Sequence, residues 1–145
     1  MFTKQNLLAA VAAAVVMFLL GYALWGIALV SFFEAHTITN VMKPDEEMNL
    51  AFVFLGNLFA ALAMATLYGK WARGYHGVSE GFTFGALIGM IIGLGMGLIW
   101  LGTSNFMDTT GHVAEAVVDI IYYGIAGVVI SLVYKAVTTK ETSGE

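Results

Sequence analysis

The 145-residue chain has no cysteine, a single proline, and few charges: six Lys or Arg and ten Asp or Glu. Without cysteine it has no disulfides, thiolate metal sites or dithiol redox chemistry. With so few basic residues it lacks the charge clusters of a nucleic-acid binder, so nucleic acid is not an expected partner. Charged residues make up 11% of the chain, against about 25% in ordinary globular domains.

What the chain has is apolar length. It is 59% apolar with a mean hydropathy of +0.84, and the apolar residues fall into four stretches, 7–33, 48–69, 81–102 and 113–134. A helix of about 20 residues crosses the ~30 Å hydrocarbon layer of a bilayer. Of the sixteen charged residues only Glu115 and Asp119 fall inside a stretch. The sequence therefore predicts an all-α integral membrane protein, a four-transmembrane-helix bundle with a glycine-rich third helix. Its partner is the lipid bilayer, and residues 1–145 form one domain. The helices are expected over about 6–34, 45–70, 80–103 and 111–136, with a polar tail at 138–145. The first stretch follows Lys4 as a signal peptide would, but its length exceeds the 7–15 residues of a signal core, so it reads as an uncleaved span.

Basic residues set the expected orientation. Lys4, Lys70, Arg73, Lys135 and Lys140 share one side and only Lys43 lies on the other. This places both termini in the cytoplasm and the protein in a bacterial-type inner membrane. Tyr68, Trp71 and Tyr75 would anchor the inner interface, and Trp25, Phe32, Phe33 and Trp100 the outer one. Pro44 with Asp45, Glu46 and Glu47 suits the start of the second helix, and Asp108, Thr109 and Thr110 are capping candidates for the fourth. A faint echo at an offset of 74 pairs Leu20, Gly21, Leu24 and Phe32 with Leu94, Gly95, Leu98 and Phe106, as a duplicated two-helix unit would.

Two patterns could carry more than span-forming. Gly81, Gly85, Gly89, Gly93 and Gly97 recur at every fourth residue of the third helix. Each step of four drifts only ~40° around a helix, so together they form a slanting groove for close helix contact, within the chain or with a second copy. The other pattern is His112, Glu115 and Asp119, which fall within about 60° of one another on the fourth helix. A carboxylate at mid-bilayer costs about 2.5–3.5 kcal/mol on insertion scales, so Asp119 should face protein or water. Glu34 and His36 of the first outer loop, with Asn49 and Asn105, could converge on the same end. Such a cluster suits proton transfer or a divalent metal, while the plainer reading, and the favoured one, is of acids that serve a helix N-terminus. No cofactor is expected beyond that metal. The three histidines, His36, His76 and His112, sit near span ends, which leaves a mid-membrane haem without ligands. Asn57 is suited to an interhelical hydrogen bond.

The run Gly21-Tyr22-Ala23-Leu24-Trp25 resembles the glycine–tryptophan signature of a bacterial four-span family known as domain of unknown function 1761. The order of features is also similar: a glycine-rich third helix, an outer loop, then a fourth helix with an acid near its start, here Asp119. That family usually continues the tryptophan with Tyr-Ser-Pro, where this chain has Gly26-Ile27-Ala28. The resemblance implies a four-helix fold and no particular activity. The residues themselves lead to two functional readings. One is a non-enzymatic accessory or scaffolding subunit that packs against itself or a larger membrane complex. The other is a small transporter or ion- or proton-conducting protein using the outer acidic and histidine cluster. No catalytic constellation is recognisable. The orientation is directly testable: a thiol introduced by Asp45→Cys should react with an impermeant maleimide added outside intact cells, and labelling only after permeabilisation would reverse the assignment.

Overall fold

The computed structural model describes the backbone of residues 3–142 and the side chains of residues 3–139; the last part of the expected polar tail, residues 143–145, lies outside the described residues. The described chain is all-helical, with four helices long and apolar enough to cross a membrane: Lys4–Ala28, Leu50–Trp71, Val78–Thr103 and Thr109–Thr139. Two of them are broken. The first consists of α1 (Lys4–Ala23) and a π-helical segment (Leu24–Ala28), and the short α2 (Val30–His36) follows it. The third consists of α4 (Val78–Gly89), a second π-helical segment (Met90–Met96) and α5 (Gly97–Thr103). The other two, α3 (Leu50–Trp71) and α6 (Thr109–Thr142), are continuous. The end of the bundle holding Lys4 and the 72–77 turn is termed proximal, and the end holding the 37–49 and 104–108 connections distal.

Capping explains where the helices begin. The Thr3 side chain accepts from the Asn6 amide at 3.3 Å and starts α1. Helix α3 does not begin at Pro44. Asp45–Glu47 form a separate 3-10 turn, and Asn49 caps α3 by accepting from the Ala51 and Phe52 amides at 3.1 and 3.3 Å. An Asx cap satisfies two orphan amides at once, which a proline two turns earlier cannot do. At the proximal turn, Arg73 and Gly74 both take positive φ (49° and 87°), so the chain reverses within six residues.

Helix α6 is the hub and touches every other helix. On one side it meets α1 and α3. Ala9, Ala10, Ala13 and Ala14 give α1 a smooth face, each at most 1% exposed, which joins Ala61 and Ala65 of α3 and Ala126 and Ile130 of α6. Small side chains let backbones approach where lipid supplies no hydrophobic drive for association. Asn57 of α3 accepts at Oδ1 from the Tyr122 hydroxyl of α6 at 3.0 Å, a hydrogen bond across two helices.

On its other side α6 meets α4 through glycine. A Cβ on Gly81 would lie 2.5 Å from the Gly127 carbonyl oxygen, one on Gly85 would run into the Tyr123 carbonyl, and one on Gly89 would lie 2.5 Å from the Asp119 carbonyl oxygen. At Gly93 it would lie 2.7 Å from Ala116 Cα. The fifth glycine behaves differently: a Cβ on Gly97 meets nothing within 4 Å. The π segment explains this. Each extra residue in a turn rotates the remainder of the helix by about 100°, so the strict spacing of four cannot keep Gly97 on the α6 face. The two π segments begin at Leu24 and Met90, 66 residues apart rather than 74, so they do not follow the register of the sequence echo.

These contacts make a paired prediction. Gly89→Ala should destabilise the protein by about 1–3 kcal/mol, because backbone atoms rather than a flexible side chain stand in the way. Gly97→Ala should be neutral or stabilise by up to about 1 kcal/mol through helix propensity. Unfolding of the two variants in mixed micelles, followed by circular dichroism, measures the difference.

Candidate functional site at the distal end

The distal connections are laced together by backbone and side chain. The Ile38 amide donates to the Phe106 carbonyl at 2.9 Å, the Asp108 amide donates to the His36 carbonyl at 3.0 Å, and Thr37 forms an isolated antiparallel bridge with Met107. Asp108 closes this clasp twice. Its Oδ1 accepts from the Gly111 amide at 2.8 Å and so caps α6, and its Oδ2 accepts from His36 Nδ1 at 2.9 Å. The hydrogen bond from His36, followed by that from the Gly111 amide, holds the Asp108 carboxyl below the usual carboxylate range.

Inside the clasp lies a cavity of about 580 Å³ between the π segment, α5 and the first turns of α6. It opens where the glycine contact ends: Gly93 still touches α6, while Gly97 and Trp100 line the far wall. His112, Glu115 and Asp119 of α6 all line it, as the helical spacing predicts. His112 is 6% exposed and Asp119 8%. Glu115 accepts from the indole Nε1 of Trp25 at 2.9 and 3.2 Å, one distance to each carboxylate oxygen. Trp25 in turn stands edge-on to Tyr122, with ring centroids 5.1 Å apart. Tyr122 is the residue whose hydroxyl lies 3.0 Å from both the Met17 carbonyl and Asn57 Oδ1. Glu115 is thus held from the π segment of the first helix, by a ring that packs on Tyr122.

What these groups lack defines the site. His112 Nε2 is buried without a hydrogen-bond partner. Among the described residues nothing hydrogen-bonds the Asp119 carboxyl, and no Lys or Arg lines the cavity. Buried polar groups are nearly always partnered, and ionisable groups in a span pair with one another or mark a pathway.

The five-residue cluster expected from sequence is therefore divided. His112, Glu115 and Asp119 share the cavity, with the exposed Asn105 at its rim. His36 is directed to Asp108, Glu34 is exposed on α2 away from the cavity, and Asn49 caps α3. The turn that ends α2 carries His36 to the clasp, and a loop's path has no helical period from which to infer this. Among the described residues no three His, Asp or Glu side chains come together around one point as a metal cage would require. Trp25 is the functional neighbour that sequence reasoning missed: as an interfacial tryptophan it had no local signal of a carboxylate 90 residues away.

No family model, curated protein or solved structure matches the chain.

Acid should open the clasp. A carboxyl held low in the folded state contributes stability that is present above its ordinary pKa of about 3.8 and is lost as pH falls through the lower folded value. The protection factors of the Ile38 and Asp108 amides should therefore fall below about pH 4, while that of the proximal Gly77 amide, which is bonded to Ser131, holds.

Proposed function

We propose that this is a small multi-pass membrane protein that handles protons or cations at its distal cavity, as a minimal transporter or conducting protein. One observation carries the reading: His112, Glu115 and Asp119, set on one stripe of α6, are brought into a single cavity with no basic partner. An unpaired carboxylate out of water is costly. Its charge has to be neutralised by something that enters the cavity, and a proton or a cation does so. A divalent metal has less support, given the absence of a three-donor group among the described residues. The proposal is one of binding and passage rather than catalysis.

The accessory-subunit reading draws on small-residue faces that could seat a partner. The glycines that suggested it, Gly81, Gly85, Gly89 and Gly93, are engaged by α6 of the same chain. What remains for a partner is the open space over Gly56, Gly97 and Gly102. Kinship with domain of unknown function 1761 is part of the proposal; Gly21 and Trp25, which carry the likeness, lie beside Tyr122 and Glu115 of α6. The proposed setting is a bacterial-type inner membrane with the proximal end, and with it the termini, in the cytoplasm. The five basic residues on that side support this orientation.

The test is flux. Liposomes carrying the purified protein should dissipate an imposed pH gradient, and Asp119→Asn, which keeps the shape and removes the charge, should slow this at least tenfold while the protein elutes as a folded species. Equal rates for wild type, variant and empty liposomes would end the proton and cation reading.

A further inference from the structure

We infer that the distal cavity binds a lipophilic organic cation: an ammonium group with an apolar, preferably aromatic, body. The inference deepens the proposal above, on which it rests, by naming the class of occupant.

The cavity has two chemically distinct parts. Its α6 side presents Glu115, Asp119 and His112. All three can accept hydrogen bonds, since a carboxylate is an acceptor and neutral imidazole carries one lone pair. His112 adds to the acids an observation of its own: it is more than nine-tenths buried and is one of the residues that line the cavity. The opposite side is apolar and aromatic, with Ile92, Met96, Trp100 and Phe106.

Size and lining separate this occupant from simpler ones. At about 580 Å³ the cavity falls within the roughly 300–1,000 Å³ of small-molecule pockets. A bare inorganic ion would occupy only the acid corner, leaving the apolar wall in contact with nothing or with poorly bonded water. A neutral apolar molecule would cover the wall and leave the Asp119 carboxyl unsatisfied, the costly outcome for a buried polar group. An anion would meet two acids and no Lys or Arg. An organic cation satisfies both sides. Its ammonium neutralises a carboxylate, while its body lies along Trp100 and Phe106, whose rings also attract positive charge. Trp25 shapes the choice further. Its N–H already engages Glu115, which leaves Asp119 as the acid free to take the incoming charge.

The experiment uses the full-length protein in lipid nanodiscs with 4-phenylbutylammonium as probe and 4-phenylbutanol, of equal length and uncharged, as control; empty nanodiscs correct for partition into lipid. Calorimetry should give saturable 1:1 binding of the ammonium. The alcohol should bind at least tenfold more weakly, and Asp119→Asn should raise the ammonium Kd at least tenfold. Glu34→Gln, an acid removed outside the cavity, should leave the Kd unchanged. Trp100→Ala, on the opposite wall, should raise it severalfold, which a purely ionic site would not show. The inference is overturned if the alcohol binds as tightly as the ammonium, if Asp119→Asn binds it unchanged, or if no saturable binding occurs. The parallel proton-flux assay separates the two levels. Flux that depends on Asp119 without probe binding removes the organic cation and leaves the cavity as a proton or ion site, and a flat result in both assays removes both.

Discussion

The backbone-to-backbone contact of α4 with α6 is the constraint on which the rest of this structure depends. In lipid, side-chain burial gains little, and helices hold together by close van der Waals contact. Gly81, Gly85, Gly89 and Gly93 bring α4 so near to α6 that an added methyl group would overlap main-chain atoms at each position. The contact is reciprocal, because a Cβ on Gly127 of α6 would strike the Gly81 carbonyl. A contact made of backbone sets register strictly. It places Gly77 where Ser131 Oγ accepts from its amide at 2.9 Å and donates to its carbonyl at 2.8 Å, and it places Gly93 beside Asp119. Where the π segment ends the contact, α5 stands away from α6 and the cavity begins.

The two ends of the bundle treat their polar groups in opposite ways. At the proximal end the buried polar side chains are satisfied within the chain. Tyr134 donates to the Ala65 carbonyl at 3.0 Å, and Asn6 donates to Thr66 at 3.1 Å. Tyr68, fully buried, donates to Ser131 at 2.8 Å. With that hydroxyl proton engaged, the 3.2 Å contact between Tyr68 and His76 makes His76 Nδ1 the donor. Burial lowers the pKa of His76 and favours its neutral form. The distal end is also tied, through His36 and Asp108, but behind that clasp His112 and Asp119 are buried without partners. Polar groups that are satisfied rigidify a fold, and those left open are where a ligand gains most.

The site was half legible in the sequence, for identifiable reasons. His112, Glu115 and Asp119 lie on one helix, so the period of 3.6 alone places them on a common stripe, whatever packs against it. His36 and Glu34 are joined to that helix only through loops, and the clasp takes one while solvent takes the other. Gly97 fits the spacing of four as well as its predecessors do, yet the extra residue of a π turn moves it from the helix contact to the cavity wall. Pro44 and three acids make a plausible helix start, but the better cap five residues on, Asn49, is the one used.

Sequence by itself determined that four segments are long and apolar enough to cross a membrane, and how scarce charge is within them, because hydropathy and helix length are local quantities. It also determined which α6 side chains share a face. Only the tertiary structure decided which helix receives the glycines, that Trp25 holds Glu115, and that Asp119 and His112 open into a cavity rather than toward another helix. Those outcomes depend on helix crossings and on two π turns, in which a single inserted residue rotates everything beyond it by about 100°, and no residue-by-residue pattern encodes where that rotation falls.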